Sequence, residues 1–309
     1  MSLSLSQLYN ESYHHAVSLN LQQKGSKLSN CVRFEFQNSD RGFYDQIGPT
    51  EAVDITTSHA DTPIINTKFD RRMVLLKTSD WADLIDKEDL LHLVEDPTSS
   101  YAQNAAYALG RVKDRRIIEA ALGESLTGVD GSTKVALPAS QTIAVNYGDK
   151  DGNPCGLTVE KLRLARQMLD DSDVDDDEEQ YCVVTAKQIA DLLRSVEVTS
   201  DDYNTVKALV DGKLNTFLGF TFKRVSSSLL PIRPISGTKN TKNVHTSNEA
   251  RSVICFAKSG LLLAMPEDIK TDISYRRDKR MSIQVYASLS CGATRMNEKK
   301  VVTIQSLEQ

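Results

Sequence analysis

Hydrophobic residues along this chain change period several times, and each change predicts a different element. Leu5, Leu8, His15, Ala16 and Leu19 recur at helical offsets before a flexible QKGSKLSN stretch, which predicts a short amphipathic helix on an N-terminal arm. From Val32 the period becomes two. Val32, Phe34 and Phe36 alternate with Arg33, Glu35 and Gln37, the pattern of a half-exposed strand. The residues up to about Asp70 are polar and poor in core positions, and a second strand, RRMVLLK, starts at Arg71. Two strands so far apart predict a protruding two-stranded arm, which must lie on something because isolated hairpins are marginal.

Ser79 and Asp80 open a helical pattern through Trp81, Leu84, Ile85, Leu91 and Val94. It feeds the longest periodic segment, DPTSSYAQNAAYALGRVKDRRIIEAALG. Asp96 suits the N-cap, Pro97 the first helical position and Gly123 a left-handed close. Tyr101, Ala105, Ala108 and Val112 form a thin apolar edge, and charges crowd the middle. At 1.5 Å per residue the helix spans on the order of 40 Å. So long a helix with so narrow a stripe predicts faces that meet neighbouring copies. Gly110 in its middle costs about 1 kcal/mol relative to alanine, so close backbone packing or a bend is expected there.

Further on, a strand is predicted at 142–147, and residues 157–212 read as a separable mixed α/β unit. Leu162, Ala165, Met168 and Leu169 make a helix stripe, residues 181–184 a strand, and Thr185 with Gln188 a capping box. Ser200 or Asp201 caps another helix with Tyr203, Val206, Leu209 and Val210 inward. Residues 226–250 hold Pro231, Pro234 and Gly237 and read as a long loop. Antiparallel strands close the chain, at 252–257 and 261–265 around a Lys258-Ser259-Gly260 turn, then from Ile273, along 283–289 and at 301–304.

The chain has 309 residues, a formal charge of -5, and 40% hydrophobic and 26% charged residues. This composition favours a folded chain of about two domains over disorder. The acidic balance argues against a general nucleic-acid-binding surface. No apolar run reaches the roughly twenty residues of a membrane span, and the start lacks the order of a signal peptide. Cys31, Cys155, Cys182, Cys255 and Cys291 are scattered, which predicts reduced thiols in a cytosolic folding environment.

The chemistry search yields no catalytic, cofactor or metal site. Counting a calcium loop from Asp171 puts Asp176 where glycine is needed and Cys182 where glutamate is needed, so the acidic run reads as a solvated loop. GESLTGVDGS lacks the closing Gly-Lys-Ser/Thr of a phosphate loop. His14, His15, His59, His92 and His245 sit in no nucleophile motif. The basic clusters at Arg71-Arg72, Arg115-Arg116 and 276–280 lack interleaved aromatics, which favours salt bridges within or between subunits over base stacking.

The order of parts, and the phrases QQKGSKL, FYDQIGPTEA, DTPIINTKFDRRMV, AYALGRVKDRRIIEAALG and GATRMNEKKVVTI, resemble the major capsid proteins of tailed bacteriophages. That shell fold is shared with encapsulins and the floor domain of herpesvirus capsids. The resemblance covers nearly the whole chain. It implies an α+β fold with an N-terminal arm (1–31), an extended two-stranded arm (32–76), a peripheral domain with a long spine helix and β strands (77–156 and 251–309) and an axial α/β domain (157–250).

The function so implied is a non-enzymatic coat protein that self-assembles, as hexamers and pentamers, into an icosahedral phage head around double-stranded DNA. The DNA would be enclosed without sequence-specific binding. An encapsulin-like protein compartment is the alternative. The resemblance further implies a virion location, assembly in the host bacterial cytoplasm, a portal, and a separate scaffolding protein because only a short arm precedes the first strand. No cofactor and no membrane partner are implied. Arg71, Arg72, Arg276, Arg277 and Arg280 fall on elements that the resemblance places near subunit boundaries, so they are the candidate inter-subunit contacts.

Overall fold

The computed structural model describes residues 22–54, 61, 64–85, 98–148, 152–172, 174–175, 177–194, 216–234 and 249–308. The expected N-terminal helix, Asp96 and Pro97, the helix after Ser200 and the 235–248 part of the long loop lie outside them. In chain order come β1 (Arg33–Phe36), β2 (Arg41–Ile47), β3 (Phe69–Leu75), β4 (Lys77–Ile85) and the helix α1 (Thr98–Leu122). Three short strands follow, β5 (Ser125–Thr127), β6 (Thr133–Val135) and β7 (Thr142–Ile143). Next are α2 (Val159–Asp170), β8 (Gln180–Val184), α3 (Ala186–Arg194), β9 (Thr216–Phe217), β10 (Phe220–Arg224) and β11 (Ile232–Pro234). The chain ends with β12 (Glu249–Ala257), β13 (Leu261–Met265), β14 (Lys270–Arg276), β15 (Ser282–Arg295) and β16 (Val301–Leu307).

These elements form two units. The larger holds the described residues of Lys27–Lys77, Asp114–Pro266 and Cys291–Gln309. At its centre lies a seven-stranded sheet in the order β7-β16-β12-β8-β10-β9, with β11 beside β12. β8 is buried at every position, as are the described side chains of β12, so both strands are covered on two faces. Leu162, Ala165 and Leu169 of α2 and Leu192 of α3 join Cys182, Val184, Val253, Cys255, Val302 and Ile304 in one core. The mixed unit expected from Leu157 therefore shares its core with the C-terminal strands. The capping box is present: Thr185 N–H donates to Gln188 Oε1 at 2.9 Å and Gln188 N–H to Thr185 Oγ1 at 3.4 Å. None of the five cysteines forms a disulfide among the described residues, and four of them are buried.

The two-stranded arm exists, but with different strands. β2 and β3 pair antiparallel from Arg41↔Leu75 to Ile47↔Phe69, and Gly48 N–H to Lys68 O at 2.8 Å closes the ladder. β3 continues through β5 to β6. β1 instead runs parallel to β13, and its expected alternation is inverted, with Phe34 54% and Phe36 62% exposed. Backbone bonds to β13 place this edge strand, and nothing among the described residues covers its apolar face. The 252–257 and 261–265 strands are not a hairpin either. The described side chains of β12 and all of β13 are buried, and the Lys258–Gly260 turn carries the chain from one sheet to another, where β13 pairs with the end of β15.

The smaller unit holds the described residues of Met1–Ser26, Thr78–Lys113 and Glu267–Ser290. Here β14 pairs antiparallel with the first half of β15, and β4 also pairs with β15. Residues 79–85 are thus strand rather than helix start. Trp81, Leu84 and Ile85 have helical offsets, but Ser79 and Trp81 also alternate with exposed neighbours, and pairing to β15 decides between the two periods. Gly110 shows the expected close approach: a Cβ there would lie 2.6–2.8 Å from backbone atoms of Gly25 and Ser26.

Along α1 the buried stripe is Ala105, Leu109, Ile117, Ile118 and Ala121, whereas Tyr101, Ala108 and Val112 are only half-buried. Gly123 is not left-handed. Its N–H donates to Glu119 O at 2.8 Å, continuing the helical pattern. No helix among the described residues is long and apolar enough to cross a membrane.

Candidate assembly surfaces

Buried charges fasten the larger unit at four places. Asp114 on α1 accepts the backbone N–H groups of Lys27 and Leu28 at 3.0–3.1 Å. The stretch expected to be flexible is therefore pinned, with Leu28 fully buried. Lys161, also fully buried, donates to the carbonyls of Val145, Cys155, Gly156 and Gln305 at 2.8–3.1 Å, tying one loop and β16 to α2. Burial pushes its pKa below the ordinary lysine value, and the four carbonyl dipoles compensate the ammonium.

Arg295 closes α1 in place of a left-handed glycine, donating to Ala121 O at 3.0 Å, Gly123 O at 2.9 Å and Val135 O at 3.0 Å. Arg251 grips Glu308 at 2.7 Å and the carbonyls of Ser227 and Leu230. None of these four stood out in the sequence, because a lone charge among polar neighbours looks exposed until the fold surrounds it. For Arg295 a signal was present: Val285, Ala287, Leu289 and Cys291 are buried at every second position of β15, and Arg295 falls on the same phase.

The five candidate arginines separate into three kinds. Arg71 on β3 forms a bidentate pair with Asp45 on β2 at 2.6 and 2.9 Å and lies 5.5 Å from the Phe43 ring centre. That hydrogen bonding lowers the Asp45 pKa and raises that of Arg71. Arg72 points into its own chain. It is 6% exposed, and it donates to Met296 O at 3.1 Å and to Glu298 at 2.8 Å. This burial lends no support to its reading as a contact with other copies, since Nε and Nη2 are engaged at the arm's base and Nη1 is buried without a hydrogen-bond partner among the described residues.

The remaining three lie at the turn between β14 and β15. There Arg276 holds Asp278 in two bonds of 2.8 Å, which takes the carboxyl down to about 2. Arg277 and Arg280 are exposed and form no ion pair among the described residues.

The acidic run is not wholly solvated. Glu178 accepts Ser259 N–H at 2.5 Å and Lys300 Nζ at 3.0 Å, and Glu179 accepts Lys258 at 2.7 Å and the Tyr181 hydroxyl at 2.8 Å. Among the described residues no three His, Cys, Asp or Glu side chains gather as a metal site, and all five histidines lie outside those residues. The arm carries exposed apolar side chains, with Phe43 exposed, Ile47 71% and Phe69 69% exposed, and Ile64 beyond them.

These surfaces belong to a fold with an open two-stranded arm, a long helix and, among the described residues, three separate sheets. A family model for phage capsid protein matches residues 5–308, and the chain belongs to that family. Its fold is similar to the capsid of Ralstonia phage GP4, with a TM-score of 0.73 and 10% identity over 100% of this chain and 98% of that one. The capsid of the cyanophage P-SCSP1u gives a TM-score of 0.71 and 14% identity over 100% and 96% of the two chains. The cyanophage Pam1 capsid gives 0.65 and 14% over 99% and 98%. No curated protein matches the sequence. The chain is a major capsid protein with an α+β capsid fold, and it forms the shell of a phage head. The encapsulin-like alternative is not favoured.

Proposed function

We propose that copies of this chain assemble as hexamers and pentamers into an icosahedral shell around double-stranded DNA, with the 32–76 arm lying on neighbouring copies. The observation that carries this reading is the arm itself: seven paired residues on each strand, with Phe43, Ile47 and Phe69 left open. An apolar surface of that kind on a folded chain marks a partner's place. The charge of -5 suits contents that are enclosed rather than held, since each bound phosphate needs a cation.

In this reading residues 1–31 are the N-terminal arm, 77–156 with 251–309 the peripheral domain with α1 as its spine, and 157–250 the axial domain. Arg71, Arg276, Arg277 and Arg280 face neighbouring subunits, and Arg72 secures the arm to its own. The shell needs no cofactor and performs no catalysis. It is built in the host bacterial cytoplasm with a separate scaffolding protein and a portal.

Removing residues 49–67, beyond the paired strands, tests it. The subunit should stay soluble and folded by circular dichroism while electron micrographs show no closed shells. Shells of normal size and yield would refute the arm's role. Purified particles filled with protein cargo instead of DNA would select the compartment reading.

A further inference from the structure

We infer that the turn joining β14 to β15 on one copy docks into a groove of a neighbouring copy, the one between β1 and the end of the acidic run. This rests on the proposal that Arg277 and Arg280 face neighbouring subunits, and it names what receives them. The groove measures about 900 Å³. It is lined by Val32, Arg33 and Phe34 at β1, by Asp175, Asp177 and Glu178 of the acidic run, and by Lys258 and Lys300.

Its charges do not all cancel. Glu178 is taken by Lys300, Glu179 by Lys258, and Glu35 by Arg33 at 2.6 Å. Asp175 and Asp177 are exposed and form no ion pair among the described residues. The groove therefore combines the exposed Phe34 ring with two spare carboxylates.

The turn has the opposite character. Arg276 and Asp278 neutralise each other, which leaves Arg277, Lys279 and Arg280 exposed and without an ion pair among the described residues. Exposed Ile273, Tyr275 and Met281 flank these cations. The turn is also held in shape. Arg280 and Met281 both take left-handed backbone angles, φ 49° and 59°, which non-glycine residues adopt at a cost, and Ser282 N–H bonds Lys279 O at 2.9 Å to keep them there.

A fixed cationic turn with apolar shoulders thus complements a groove that offers an exposed aromatic ring and two unpaired carboxylates. The two surfaces differ, so the contact is head-to-tail, the kind that closes into rings of copies.

Charge exchange tests the pairing. Asp175→Lys with Asp177→Lys, and separately Arg277→Glu with Arg280→Glu, should each abolish closed shells, and one chain carrying all four changes should regain them. If the arginine variant assembles normally, both the docking and the underlying reading of these arginines fail. If only the aspartate variant assembles normally, or the combined chain does not recover, the docking alone is overturned.

A second measurement needs no variant. Shells co-assembled from light and heavy-isotope subunits are treated with a zero-length carbodiimide and digested. Mixed-isotope peptides joining Lys279 to Asp175 or Asp177 support the docking. Their absence overturns it, as would Lys279 shielded only in DNA-filled particles.

Discussion

Two antiparallel ladders in this subunit have the same length and opposite fates. β12 pairs with β16 over seven positions, and β2 pairs with β3 over seven positions. The first is buried on both faces, with Val253, Ile254, Cys255 and Val302 sealed inside. The second keeps Phe43, Ile47 and Phe69 in the open. Backbone pairing is nearly identical in kind, so hydrogen bonds cannot explain the difference. What differs is the layer above each ladder: α2 and α3 cover the first, whereas the outer face of the second is covered at Met73, beside Gly131, and left open at Phe43, Ile47 and Phe69. A subunit that stabilises itself through one ladder and offers the other is suited to assembly, where burial is completed by other copies.

The sharpest way to break this comparison is to truncate one side chain from each region. Leu162→Ala, beneath the covered ladder, should cost the unassembled subunit about 2–5 kcal/mol in chemical denaturation. Ile47→Ala should change that stability by no more than about 0.5 kcal/mol yet reduce the yield of shells. Equal destabilisation by the two would remove the distinction.

Lys161→Met asks how far the covered region depends on its buried ammonium. Taking the ammonium from four carbonyls, of which those of Val145 and Cys155 keep backbone N–H partners, should cost about 1–3 kcal/mol in the same measurement, and an unchanged midpoint would show that the loop is held otherwise.

Gly110→Ala inserts a methyl against the Gly25 and Ser26 backbone. Overpacking of about 1–3 kcal/mol should outweigh the roughly 1 kcal/mol gained in helix propensity, giving a small net loss of thermal stability. A rise in melting temperature would mean that the close approach is easily relieved.

The smallest effect concerns pH. Burial alone would raise the Glu178 pKa, but hydrogen bonds from Ser259 and Lys300 outweigh it and hold it below the ordinary 4.5. The folded state then binds fewer protons, so the contribution is complete above about 4.5 and falls away as pH drops through the lower folded value. Glu178→Gln should therefore melt below the parent at neutral pH, with the gap closing on acidification. A gap independent of pH would assign it to shape rather than charge.

Several of these features could be read from residues near one another in the chain. The Thr185–Gln188 box and the α2 stripe each involve only one helix and its ends, and Gly110 stood out by its cost in mid-helix, although the backbone it meets, at Gly25 and Ser26, is distant in the chain. The arm was visible as a polar excursion, and the capsid resemblance came from phrases spread over the whole chain. The assembly site was less legible. Of the five arginines read from position, Arg72 turned inward, because its partners Met296 and Glu298 lie more than two hundred residues away.

By itself the sequence determined periodicity, local caps, and which segments lacked enough apolar residues to form a core. It could not determine which strand pairs with which. Val32–Phe36 and Trp81–Ile85 fit more than one local pattern, and β13 and β15 chose for them. Nor could it show that Asp114, Lys161 and Arg295 are buried. A charge becomes an internal fastener only when the backbone groups that satisfy it arrive from distant parts of the chain, and tertiary structure alone brings them there.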